Sequence, residues 1–192
     1  NLLQEGSNRI HILKEGKGTL MYSAELRYVA RADDIQPSGD RFVITRSYFR
    51  LVPRVDAKNK VTYVPEPMKG EARSGELLQV EMAINAKEPL RYMIIEDYLP
   101  SGCEPMAQTE FEEAKEGQTQ TLQRTPRLWG RRETRDERIS FLCESVPKGK
   151  STITYRLRAV LPGQFAILPA QGYGMYRPEV RANSAEDGLR IR

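Results

Sequence analysis

Apolar and polar residues alternate along much of this chain. Leu20, Tyr22, Ala24, Leu26 and Tyr28 stand at every second position, with Met21, Ser23, Glu25 and Arg27 between them. Leu78, Val80, Met82 and Ile84 alternate with Gln79, Glu81 and Ala83, and Ile153, Tyr155, Leu157 and Ala159 with Thr154, Arg156 and Arg158. A period of two places one set on each face of a strand, so these segments predict half-buried antiparallel strands. Weaker strand patterns cover Ile10–Leu13, Phe42–Val52, Val61–Val64, Leu90–Asp97, Arg138–Glu144, Phe165–Leu168 and Leu189–Ile191. Turn signals separate them: Glu15-Gly16-Lys17-Gly18, Pro37-Ser38-Gly39-Asp40, Pro100-Ser101-Gly102, Pro147-Lys148-Gly149 and Pro162-Gly163. Many short strands with such punctuation predict an all-β fold, an antiparallel β-sandwich.

Helical periodicity is poor. The best window, Glu110–Glu116, has Phe111 as its only large apolar residue and predicts no more than a short turn. It lies in Glu104–Asp136, a polar stretch without periodicity that predicts a long surface loop. Trp129, the only tryptophan, is expected to pin part of it to the body. Asp33–Asp40, with Pro37 and Gly39, has the composition of a linker. The expected organisation is residues 1–36 as the closing strands of a preceding β domain or a linker, and 37–192 as the main sandwich. The chain has 192 residues and begins at Asn1, which predicts a mature or recombinant piece of a larger product. No apolar run approaches the ~18 residues of a membrane helix.

Charge narrows the function classes. Thirty basic residues face 26 acidic ones, for a net charge of +4. The arginines are scattered, and the one dense run, Arg124–Arg138, is diluted by Glu133, Asp136 and Glu137. That is a solvated face rather than a nucleic-acid stripe. Catalytic patterns fail one after another. Gly149-Lys150-Ser151 ends like a phosphate loop, but the first glycine of that motif falls at Glu144 and a strand follows, so a hairpin turn is expected. Gly172-Tyr173-Gly174 is a lone G-x-G with no helical pattern after it. His11, the only histidine, has no nucleophile pattern around it. Glu96 and Asp97 are adjacent, so on a strand they face opposite sides and cannot pair as acid and base. Glu96 is expected to hydrogen-bond the neighbouring loop. One histidine and two distant cysteines cannot assemble a tetrahedral zinc set. No catalytic residue, metal or cofactor is expected. Cys103 and Cys143 leave two alternatives open, a disulfide closing a loop of roughly 40 residues or two unpaired thiols.

The carboxyl-terminal block from Tyr155 to Ser184 is the most informative. It carries Arg158, a Pro162-Gly163 turn, Phe165, Pro169, then Met175-Tyr176 ahead of Arg177-Pro178. Met175-Tyr176 is expected to anchor and close the sandwich. The block resembles the end of bacterial alpha-2-macroglobulin-like proteins: Y-x-x-R-A-x-x-P-G-x-F-x-x-x-P-A, then M-Y-x-P-E-x-R and a small polar pair. Further likenesses occur upstream in the same order. Gly18–Ser23 resembles G-x-L-x-Y-S, and Thr45-Arg46-Ser47-Tyr48-Phe49 resembles R-x-Y-Y with Phe49 in the last place. Ile95–Glu104, with Glu96, Asp97, Pro100 and Gly102, resembles E-D-x-x-P-A-G-x-E. Arg135–Phe141 resembles R-D-x-R-V-x-F.

The resemblance implies the last macroglobulin-like domain, a sandwich of fibronectin or immunoglobulin architecture whose motif residues are structural. It also implies a non-catalytic role in a protease trap. The implied partners are other domains of the same parent chain and, through the parent, target proteases; nucleic acid and small-molecule substrates are not expected. A periplasmic or extracellular location follows, with the parent as a route to membrane anchoring. The thioester type C-x-E-Q is met neither at Cys103-Glu104-Pro105-Met106 nor at Cys143-Glu144-Ser145-Val146. An alternative is a stand-alone adhesion or carbohydrate-binding sandwich displaying Tyr48, Tyr63, Tyr92, Tyr173 and Tyr176.

Overall fold

The structure, a computed structural model, describes residues 8–24, 35–55, 57, 59, 61–106 and 130–192. Among them are fourteen strands and no helix: β1 (Ser38–Gly39), β2 (Phe42–Val55), β3 (Val61–Pro67), β4 (Glu71–Ala72), β5 (Leu77–Ala86), β6 (Leu90–Tyr98), β7 (Cys103–Pro105), β8 (Arg131–Thr134), β9 (Arg138–Val146), β10 (Gly149–Ala159), β11 (Gly163–Ile167), β12 (Gln171–Gly174), β13 (Arg181–Asn183) and β14 (Asp187–Ile191). A six-stranded sheet runs β1-β13-β12-β6-β9-β8, and a five-stranded sheet runs β3-β2-β5-β10-β7. A small third sheet, β11-β14-β4, contains the parallel pair β14–β4. All other pairings are antiparallel.

The core lies between the two large sheets and is made by the predicted alternation. Phe42 and Ile44 of β2, Leu78, Val80, Met82 and Ile84 of β5, and Ile153, Tyr155 and Leu157 of β10 point inward from one sheet. Met93 and Ile95 of β6 and Ile139, Phe141 and Cys143 of β9 point inward from the other. Apolar surface leaving water along both faces drives this closure. Two strands change phase together. Tyr92 has φ 53°, a left-handed residue in mid-strand. Leu90 is therefore buried on one side of it, and Met93 and Ile95 on the other. The facing strand β9 makes the same shift between Val146 and Cys143.

Gly172 of β12 faces side chains of its own sheet and of the opposite one at close range. A Cβ there would meet the side chains of Ile95, Ile44 and Phe42 at 2.8–2.9 Å. The G-x-G pair thus serves packing on its first glycine. The Gly149 turn does not close a hairpin, contrary to the sequence expectation. β9 and β10 belong to different sheets, so the turn carries the chain across the sandwich.

Among the described residues, the amino-terminal strand expectations are not met. Residues 8–24 form no strand. Ile10, Leu13, Met21 and Tyr22 are exposed, and residues 25–28 of the second predicted strand lie outside the described set. Alternation makes a strand only where a neighbour supplies the ladder hydrogen bonds, and no described strand pairs with this segment. The predicted loop Glu104–Asp136 is shortened from both ends. Cys103–Pro105 adds to β10 and Arg131–Thr134 adds to β9. The predicted turn Glu110–Glu116 and Trp129 lie outside the described residues.

Candidate functional site

Glu96 and Asp97 organise the polar chemistry of the sandwich. They are consecutive on β6 and point to opposite faces, as the strand period requires. Asp97 shares the inward phase of Met93 and Ile95 and is fully buried. Arg46 shares the inward phase of Phe42 and Ile44 on the opposite sheet, and its side chain is 2% exposed. Its Nη1 donates to Asp97 Oδ1 at 2.6 Å. The other carboxylate oxygen accepts from Tyr155 Oη at 2.7 Å. The guanidinium also donates to the Leu168 and Ile167 carbonyls at 2.9 and 3.3 Å, and it lies 5.7 Å from the centre of the Tyr48 ring.

One ionic cluster therefore ties β2 and β10 to β6 across the core and holds the segment after β11. Burial pushes the Asp97 carboxyl above its ordinary value, against the pull of Arg46 and the Tyr155 hydroxyl. Burial opposes the charge on Arg46, but Tyr48 and Asp97 hold its guanidinium above the ordinary value. Tyr155 is raised well above the phenol range by burial and by Asp97. The chemistry is that of a staple: every polar contact made by the carboxylate is with a group fixed on another strand.

Glu96 makes the matching cluster on the outer face. It accepts from Ser140 Oγ at 3.0 Å and from Tyr173 Oη at 3.3 Å, and its Oε1 lies 3.4 Å from Arg138 Nε. These partners sit on β9 and β12, the strands flanking β6, not on a loop as the sequence suggested. The two carboxylates face opposite sides of β6 and share no partner.

The remaining motif residues sit in turns, ladders and the segments between strands. Pro100 and Gly102 are buried in the turn after β6, where Cys103 N donates to Pro100 O at 2.8 Å. A Cβ on Gly102 would overlap the Phe165 ring. Phe165, packed against the core from β11, follows the exposed Pro162-Gly163 turn. Pro169 is buried between β11 and β12. Arg158 is exposed and stands opposite Glu104 in the β10–β7 ladder. Ser184 Oγ accepts from Ala170 N at 2.9 Å, and Asn183 Nδ2 donates to Gln36 O at 2.9 Å.

Cys103 and Cys143 are free, buried thiols in different sheets. Burial pushes Cys103 up to about 12 and Cys143 up to about 11, which disfavours the reactive thiolate. No group of three or more possible metal-binding side chains occurs among the described residues.

Met175 and Tyr176 do not close the sandwich. They are 40% and 79% exposed, and Pro178 is exposed beside them. The reason is the tight turn that follows β12. Gly174 N donates to Val180 O, Arg177 N to Gly174 O, and Val180 N to Arg177 O. Val180 takes the buried position, and the two large residues are turned outward. Met175 N donates to the carbonyl of Tyr92 at 2.8 Å. The Tyr92 and Tyr176 rings then meet edge to face at 5.5 Å and 79°.

The buried cluster draws on three separated motifs: Arg46 and Tyr48 from the first, Asp97 from the second, Tyr155 from the third. Sequence reading placed Arg46 in the R-x-Y-Y likeness and among the scattered arginines, but gave it no buried partner. The signal was present, since Arg46 sits between Ile44 and Tyr48 on one phase of β2, and Asp97 follows Met93 and Ile95 on one phase of β6.

The family model described as "Bacterial Alpha-2-macroglobulin MG10 domain" matches residues 42–179, which includes every member of both clusters. The chain belongs to this family. It is 26% identical over 190 residues to an alpha-2-macroglobulin homolog from Nostoc sp., covering 97% of this chain and 10% of that protein. Solved structures share the fold. Escherichia coli alpha-2-macroglobulin activated by porcine elastase superposes with a TM-score of 0.63 at 25% identity, over 82% of this chain and 14% of that one. Salmonella alpha-2-macroglobulin reacted with methylamine gives 0.59 at 23% identity, over 82% of this chain and 10% of that one. The fold is the macroglobulin-like β-sandwich expected from the motifs, and the chain spans about 10% of the Nostoc relative's length.

Proposed function

We propose that this chain is a non-catalytic, carboxyl-terminal structural and interaction domain of a protease-trapping parent of the alpha-2-macroglobulin kind, working in the periplasm or outside the cell. Family membership supports the parent, and the small share of the relatives' length supports the role of one domain among several. The observation that carries the interaction role is the patch of Tyr92, Met175 and Tyr176. Large apolar side chains held outward by a hydrogen-bonded turn and a left-handed residue form a preorganised contact, and such exposed patches mark interaction sites. The occupant is another domain of the parent, and target proteases are met through the parent.

The carbohydrate-binding alternative is poorly served by the tyrosines. Tyr48 is in the core, Tyr63 and Tyr173 are half-buried, and the exposed rings of Tyr92 and Tyr176 meet edge to face rather than forming a flat platform.

The test is Met175→Ala with Tyr176→Ala in the full-length parent, measured by protease capture and by resistance to unactivated proteolysis. Altered capture with unchanged melting of the 192-residue chain is the expected result. Unchanged capture and unchanged proteolysis remove the patch from the mechanism.

A further inference from the structure

The hairpin β2–β3 carries its apolar side on the wrong face for its own core. Its register is regular: Phe49 pairs with Pro67, Leu51 with Pro65, Pro53 with Tyr63, and Val55 with Val61. Cross-strand partners share a face and successive residues alternate. All eight of these residues therefore lie on one face, and every one is apolar or aromatic. The opposite face holds Arg50, Val52 and Arg54 against Glu66, Val64 and Thr62, with an Arg54–Glu66 ion pair at 3.0 Å.

In the first half of β2 the core side is the other phase, that of Phe42, Ile44 and Tyr48. The apolar face of the hairpin thus points away from the sandwich interior. At its root it forms a separate small cluster in which Leu51 and Met106 are buried and Tyr63 and Leu77 pack against them. Towards its tip the strip is open: Val55 is 64% and Val61 44% exposed, and Pro53 and Pro65 are exposed.

Edge pairing is not the use of this surface. β3 is the outer strand of its sheet, but Pro65 and Pro67 cannot donate to an added strand, and prolines are a common guard of free edges. A partner must dock on the face.

We propose that the outward face of β2–β3, from Leu51 and Tyr63 to Val55 and Val61, is a second docking surface, and that it receives an apolar face of a neighbouring domain of the same parent chain. This rests on the reading of the chain as one domain of a longer trap. The Nostoc relative has about nine-tenths of its length outside the matched region, and a tethered neighbour meets the strip at high effective concentration. Even a modest apolar contact is then populated. The surface is continuous with a cluster that is already packed, so the partner extends an existing core.

The experiment is hydroxyl-radical footprinting by mass spectrometry of the 192-residue chain and of the full-length parent, beside a protease-capture assay. The expected result is oxidation of the Leu51–Pro67 peptide in the chain and several-fold protection in the parent. Val55→Arg with Val61→Asp should leave the chain's melting unchanged and return the parent's peptide to the oxidation level of the free chain. Equal oxidation in chain and parent overturns the surface, as does full protection in the chain alone. A parent that captures proteases with the hairpin oxidised overturns this inference only. A parent that protects the hairpin but captures nothing overturns the functional reading and leaves the surface standing.

Discussion

Glu96 and Asp97 are neighbours in the chain, and each meets an arginine, yet they differ in almost everything else. Asp97 faces a dry core, meets Arg46 at 2.6 Å and is 0% exposed. Glu96 faces outward, with Arg138 at 3.4 Å and 30% exposed. The outer pair is only partly buried, with side chains 30% and 13% exposed, so water screens it more than the inner pair and its net contribution is smaller. The inner pair has lost its water, so each charge depends on the other and on the Tyr155 hydroxyl and the Ile167 and Leu168 carbonyls. The contrast teaches that a strand's two faces convert the same chemistry into different roles. Inside, an ion pair fixes how the sheets are docked, and removing one partner strands the other. Outside, it trims the surface of a sheet.

The sharpest way to break the comparison is to empty one side of each pair. Asp97→Ala or Arg46→Ala should lower stability by about 3–5 kcal/mol, the cost of leaving a buried charge alone. Urea denaturation of the chain measures it. Arg46→Met combined with Asp97→Leu should recover most of that loss, because apolar residues of similar volume leave no stranded charge. Failure of the double variant to recover would show that the contacts to Tyr155 and the two carbonyls matter more than charge balance.

Tyr155→Phe removes the second donor to Asp97 and should cost about 1.5–3 kcal/mol, as for hydrogen bonds to charged groups. The same residue shapes the alkaline response. Burial raises Tyr155, Tyr48, Cys103 and Cys143 in the folded state, with the thiols at about 12 and about 11. A group whose folded pKa is raised stabilises fully below its unfolded value, and that stabilisation is lost as pH rises through the folded value. The urea midpoint should therefore fall progressively above about pH 8.5, the ordinary thiol value. In Tyr155→Phe the decline should be shallower. A midpoint that is flat up to about pH 11 would contradict the burial of these groups.

Ser140→Ala, on the outer face, should cost about 0.5–1.5 kcal/mol, because Glu96 keeps Tyr173 and Arg138. Salt gives the smallest effect and the most direct contrast. At about 1 M salt, where the screening length is ~3 Å, the penalty of Glu96→Gln should shrink, while that of Asp97→Ala should persist. Equal salt sensitivity in the two variants would mean that water reaches Arg46.

Much of the site was legible once the strand phases were drawn. Met93 and Ile95 mark the inward phase of β6, and that phase alone places Asp97 in the core. Phe42 and Ile44 do the same for Arg46. The pairing itself was not legible, because β2 and β6 lie in different sheets and nothing local links their registers. Tyr92 shows a second limit. Its left-handed backbone shifts the phase of β6, and no residue-type signal marks a tyrosine in that state. Met175 and Tyr176 show a third. Their size predicts burial, but the Gly174–Val180 turn gives the inward place to Val180. The same happens at Leu51, where β2 continues beyond the core and its buried phase changes.

The sequence by itself determined the all-β class, the periods of most strands of the sandwich and the motifs that mark the family, because these depend on neighbours along the chain. Only the tertiary structure decided which charges meet, which apolar residues stay wet and that the alternation within residues 8–24 forms no strand. Each of those outcomes depends on a partner remote in sequence, which must supply a ladder, a counter-charge or a covering surface.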